Sequence, residues 1–133
     1  MRKPILGIAL FMSLVASGGV SAHHSFAAVF DGEQLITVTG EVTSVEWTNP
    51  HFHFSLDVPG DGGAVTRWRF EGYPPNMLVR QGWQREVTLT PGATVTVMAW
   101  VARSEPNLGA VRFVTFADGR KLSAGPPAGT GGR

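Results

Sequence analysis

Beyond residue 34, hydrophobic and polar residues alternate with a period of two, the pattern of strands that bury one face. Runs rich in Val, Thr, Phe and Trp are separated by Gly, Pro, Asn and Asp, which predicts antiparallel strands joined by turns. The first strand, residues 35–47, places Ile36, Val38, Gly40 and Val42 on one face, and Val45 and Trp47 continue that face from odd positions. A slip of one residue near Thr43 and Ser44 is what a β-bulge produces. Gly40 suits a tight bend or a close backbone approach. The second strand, residues 51–58, sends Phe52, Phe54, Leu56 and Val58 inward and His51, His53, Ser55 and Asp57 outward. The third, residues 64–71, turns Thr66, Trp68 and Phe70 inward and Arg67, Arg69 and Glu71 outward. A hairpin over residues 59–63, centred on Asp61, pairs Phe52 with Phe70 and sets His51 opposite Glu71 and His53 opposite Arg69.

The alternation stops over residues 74–82, where prolines in a first turn and Gly82 as a stop predict a short helix. Residues 83–89 read as a connector or minor strand. The strand over 94–102 is apolar on both faces, so both are expected to be covered, and the last strand, 110–117, ends at an Asp118-Gly119 turn. Three strands, a helix and two strands, with a long bent first strand, is the order of an OB-type barrel. The fold class expected is therefore all-β with one short helix, a small five-stranded OB-like barrel over residues 35–122. A β-sandwich competes, although a helix between the third and fourth strands is less natural there.

The two ends differ from this pattern. Arg2 and Lys3, an apolar run from Ile5 to Val15 and the small residues Val20-Ser21-Ala22 read as a signal peptide over residues 1–22, cleaved after Ala22. The apolar run is too short for a membrane span, and nothing later in the chain is apolar enough for one. The processed protein would start at His23 with a lead segment over 23–34 and end in a Gly- and Pro-rich tail over 123–133, expected to be disordered. It would be periplasmic or secreted, with no membrane contact after cleavage. The absence of cysteine excludes disulfides and thiolate metal sites, which leaves packing, with 13 aromatic residues in the chain, to hold the fold. Losing Arg2 and Lys3 moves the formal net charge from +1 to −1. With Lys121 as the last lysine and the arginines scattered, no basic stripe remains, so nucleic acid is not an expected partner.

Candidate chemistry rests on four histidines in two places: His23 and His24 at the new N-terminus, and His51 and His53 two apart on a strand. Rings two apart on a strand point the same way at roughly 6–7 Å, close enough to converge on one ion. Cleavage after Ala22 also frees an amine on the residue that carries an imidazole. His23 amine and ring with a ring from His51 or His53 would make a three-nitrogen histidine brace, which favours Cu(II) over Zn(II) and Ni(II). His24 or Glu71 would complete or orient it. The plainer reading is a polar strand face and a frayed terminus. Met98 and Trp100 as a Cu(I) site are better explained as packing, with only Met77 and Met98 left after cleavage. No paired carboxylates, phosphate loop or nucleophile motif is present, and Arg67, Arg69 and Arg112 read as solvated strand residues.

The stretches His23-His24-Ser25-Phe26-Ala27, Phe30-Asp31, Gly40-Glu41-Val42, Trp47-Thr48-Asn49-Pro50-His51, Glu71-Gly72, Arg80-Gln81-Gly82-Trp83, Pro91-Gly92 and Asp118-Gly119-Arg120-Lys121-Leu122 together resemble the exported bacterial family known as domain of unknown function 6152. The resemblance covers nearly all of the processed chain and implies a signal peptide, a small β domain and a periplasmic location, with no assigned activity. The family pattern falls on His23, His24, Asn49, Pro50 and His51; at position 53 it has an aromatic or apolar residue. The leading expectation is a carrier or sensor of a divalent metal, copper first, through His23 and His51 assisted by His24 or His53. The alternative is a non-catalytic interaction module for a periplasmic protein or ligand, with the lead segment as a cap; a copper-dependent oxidative enzyme is a third.

Overall fold

The computed structural model describes residues 26–126. The proposed signal peptide, His23, His24 and residues 127–133 lie outside that range. The elements are β1 (Phe30–Glu46), β2 (His53–Pro59), β3 (Val65–Glu71), α1 (Pro75–Arg80), β4 (Thr94–Ala102), β5 (Leu108–Phe116) and β6 (Lys121–Ser123). They form one mostly antiparallel sheet in the order β3-β2-β1-β4-β5-β6, and a parallel pairing of β3 with β5 closes it into a ring. Strand order 1-2-3-5-4 around a ring, with a helix between the third and fourth strands, is the OB arrangement. No described helix is long and apolar enough to cross a membrane.

β1 serves two partners because of the residues at its middle. Residues 35–41 pair with β4 and residues 41–46 with β2, and the register against β2 slips between Val42 and Ser44, the bulge expected at Thr43. The slip keeps Ile36, Val38, Val42, Val45 and Trp47 all on the core side. At Gly40 a side chain would collide with the Asp57 carbonyl oxygen, so the bend needs a residue without a Cβ. Inside the ring, Phe52, Phe54, Phe70 and Trp83 are each at most 1% exposed. Their rings touch in sequence, Trp83 to Phe52 at 5.6 Å, Phe52 to Phe54 at 5.6 Å and Phe54 to Phe70 at 5.3 Å. Edge and tilted contacts of this kind add to the burial energy.

The β2–β3 hairpin keeps the expected faces in a register moved by two residues. Phe54 pairs with Phe70 and His53 with Glu71, while Arg69 faces Ser55. The loop centres on Gly62 because Gly62 and Gly63, both at positive φ, form the turn that residues restricted to negative φ cannot. An even shift leaves the core side unchanged. The fourth strand has the expected bounds, and both its faces are covered: Val95, Val97 and Ala99 inside, Trp100 outside beneath Phe26 and Phe30.

Two features depart from expectation at the ends. β1 starts at Phe30, because the lead segment is packed: Phe26 lies 5.3 Å from Phe30 and 5.8 Å from Trp100, and Arg103 donates to the carbonyls of Val29 and Ala27. The barrel also continues past residue 122. β6 pairs with β5, the Ser123 carbonyl accepts the Trp83 indole N–H at 2.7 Å, and Ala124 is fully buried with its carbonyl bonded to Tyr73 N–H. Residues 123–126, expected as the start of a disordered tail, fill the seam that β3 and β5 leave open.

Phe54→Ala is expected to cost about 3–5 kcal/mol in urea unfolding, whereas Leu35→Ala, at a half-exposed outer position, changes stability by roughly 0.5 kcal/mol or less. Truncation after Leu122 is expected to lower stability by at least about 1–3 kcal/mol, the cost of leaving a buried N–H unpaired, read from the same curves.

Candidate functional site

The outer surface of β1, β2 and β3 carries a row of ionisable side chains placed by register. Glu46 pairs with His53 across β1 and β2, and His53 with Glu71 across β2 and β3. Alternation turns all three away from the core that holds Val45, Phe54 and Phe70. Just before β2, His51 returns to the same place: its Nδ1 lies 2.5 Å from Glu71 Oε1, while His53 Nε2 lies 3.6 Å from Oε2. One carboxylate thus lies between two imidazoles. The His51 side chain is 45% exposed, against 21% for His53. Between them Phe52 is fully buried, with its carbonyl accepting Gly72 N–H and its own N–H donating to the Tyr73 carbonyl, which fixes where His51 leaves the barrel.

The two rings therefore converge on Glu71 rather than on a common open point. His53 has one nitrogen toward Glu71 and the other, Nδ1, buried with no hydrogen-bond partner among the described residues. Among the described residues no group of three or more His, Asp or Glu side chains is arranged to hold a metal ion. His51 approaches Glu71 from just before β2 and His53 from within it. His23 and His24 lie outside the described residues, so the terminal half of the expected site has no geometry to report.

The rest of this surface is neutralised locally. Arg67 binds Asp57 through two hydrogen bonds of 2.7 and 3.0 Å, which hold the Asp57 carboxyl below the usual carboxylate range. Arg69 lies 3.7 Å from Glu46. Sequence reading identified both arginines as outward but missed their partners, since cross-strand pairing depends on a register the loop composition alone left two residues off.

Farther round the ring the same row continues. Glu71 pairs with Ala110 of β5, and Ala110 with Trp100 of β4, the residue on which Phe26 packs. The packed lead segment is thus two strands from Glu71.

The model of a family of unknown function, DUF6152, matches residues 12–111. The chain belongs to that family. No curated protein matches this DUF6152 member. A solved structure similar to it is the mitochondrial single-stranded DNA binding protein Rim1 of S. cerevisiae, at 12% identity and a TM-score of 0.49, over 63% of this chain and 93% of that one. That neighbour is a single-stranded DNA binding protein, and the exclusion of nucleic acid made from charge is withdrawn.

Replacing Glu71 with Gln is expected to remove the bias toward a proton on His51 Nδ1. Imidazole 15N shifts of His51 at pH 8 should move toward the mixed-tautomer values of an exposed histidine; unchanged shifts would show that Glu71 does not set the tautomer.

Proposed function

We propose that this protein is an exported, periplasmic or secreted binding module that holds a divalent metal, Cu(II) first, at the outer face beside Glu71. His51 Nε2, the His23 amine and the His23 ring are the ligands, and His24 is a spare donor. The observation that carries the reading is the short contact between His51 Nδ1 and Glu71. A carboxylate at Nδ1 keeps the ring proton there and leaves Nε2 as an outward lone pair, the arrangement that orients histidines in metal sites. Glu71 is then an orienting partner and His53 steadies its second oxygen. An all-nitrogen set suits Cu(II) by ligand type.

The lead segment supports the same reading. Adjacent strands are about 5 Å apart, so the row from Trp100 through Ala110 to Glu71 spans about 10 Å. Three residues of extended chain cover a similar distance, which is the number separating His23 from the packed Phe26. The same packing supports a second reading, a metal-free interaction module with the lead segment as a cap.

Cu(II) titration of protein beginning at His23, read by calorimetry and EPR, tests the proposal beside a form carrying one extra N-terminal residue. Tight one-to-one binding is expected, with nitrogen hyperfine structure, weakened about 100-fold or more by the extra residue and by His51→Ala. Weak binding indifferent to both changes would overturn the metal reading and leave the cap module.

A further inference from the structure

Strand β5 has a break in its alternation that turns two neighbouring residues outward. Val111 pairs with Ala99 and Phe113 with Met98, so Arg112 has no partner on β4. Val111 and Val114 are both in the core, at 1% and 0% exposure, which leaves Arg112 and Phe113 together on the outer surface. On the β6 side the position is fixed by the Arg112 carbonyl, which accepts the Ala124 N–H at 3.0 Å. From β6 itself, Lys121 places its ammonium 4.4 Å from the centre of the Phe113 ring, and the Arg112 guanidinium carbon is 4.9 Å from the same centre. One ring thus carries two full positive charges.

Arg67, Arg69, Arg85, Arg103 and Arg120 each lie within 3.8 Å of a carboxylate oxygen, whereas Arg112 and Lys121 have no such partner among the described residues. Attraction to the ring accounts for either charge singly. Two like charges sharing a ring repel each other, and no described group of opposite sign offsets that. Arg112 is also half-buried, with its Nε–H shut off from solvent and without an acceptor among the described residues. Packing therefore holds the guanidinium in place, and its terminal amino groups are the donors left to meet a ligand, beside the exposed Lys121. A monoanion would neutralise one charge and leave the other. A tetrahedral dianion has oxygens for both, two on the planar guanidinium and a third on the compact ammonium. We propose that Arg112 and Lys121 form a binding site for the dianionic phosphate of a phosphomonoester. Free phosphate and a phosphorylated lipid headgroup offer the same group, and the experiment separates them. The site is independent of the metal reading, since neither residue is a ligand there.

Lys121 is the only lysine beyond residue 3, so its side-chain 15N resonance is unambiguous in protein beginning at His23. Titration with inorganic phosphate at pH 8, where phosphate is mainly dianionic, tests the site at constant ionic strength with no metal added. A saturable shift is expected, with half-saturation at roughly 1 mM. Dimethyl phosphate, a monoanion, should bind at least about tenfold more weakly, and Arg112→Gln should weaken phosphate by a similar factor. Lys121→Gln, at an exposed position that leaves the fold intact, is expected to do the same, read on the Arg112 Nε–H signal. No saturable shift, an equal response to both probes, or indifference to both substitutions would overturn the proposal and leave two solvated strand residues. Once phosphate binding is established, Lys121-dependent co-sedimentation with phosphatidic acid vesicles assigns the phosphate to a lipid, and its absence assigns it to a soluble phosphomonoester.

Discussion

The architecture depends on one strand curving between its two neighbours in a single closed sheet. β1 turns from β4 to β2 at Glu41, next to a glycine against which the Asp57 carbonyl packs. A straight strand would keep the sheet open, and the ring could not close. The bulge at Thr43 then reverses the parity of everything that follows. Without it, Val45 and Trp47 would point to solvent and Glu46 into the core. With it, Glu46 stands beside His53 on the outer row, and Trp47 reaches Phe52 at 4.7 Å.

Closure needs a second device, since β3 and β5 pair over just three residues. The gap is filled from the C-terminal side, where β6 and Ala124 join β5 to Tyr73. Trp83 binds this seam to the core: its ring packs on Phe52 and Phe116, and its N–H is taken by Ser123. A buried tryptophan needs an acceptor, and here the acceptor comes from the segment that finishes the barrel. The aromatic core and the seam thus stabilise each other. Chemistry is left to the outside, where polar groups stay near water and cost less to keep.

Much of this was legible in alternating residues. The inward faces of β1 to β4, the bulge, the role of Gly40 and the helix after Pro74 follow from period and punctuation, because each concerns neighbours in the chain. What was not legible concerns partners far apart in it. The hairpin register depended on which glycines take positive φ, and Gly60, Gly62 and Gly63 look alike in sequence. β6 is three residues long and follows a turn, too short for alternation to mark. Of the candidate site, the outward direction of His51, His53 and Glu71 was readable. That one carboxylate would lie between the two rings was not, because His51 reaches it from outside β2, where strand pairing says nothing.

The turn from Trp47 to Phe52 positions the part of the surface to which metal chemistry is assigned. Phe52 is fully buried and bonded through both backbone groups, and Trp47 is packed on its ring. Sliding this turn by one residue would pull an aromatic ring from the core, at a cost of several kcal/mol. The turn is therefore held at both ends, with Trp47 packed on Phe52 and His51 directed to Glu71. Precision at an exposed imidazole normally has to be imposed by a neighbouring side chain. In this fold the backbone imposes half of it through Phe52, and Glu71 needs only to set the ring's rotation. That division explains how a half-exposed histidine on a loop can have a defined position without any cross-link in the chain.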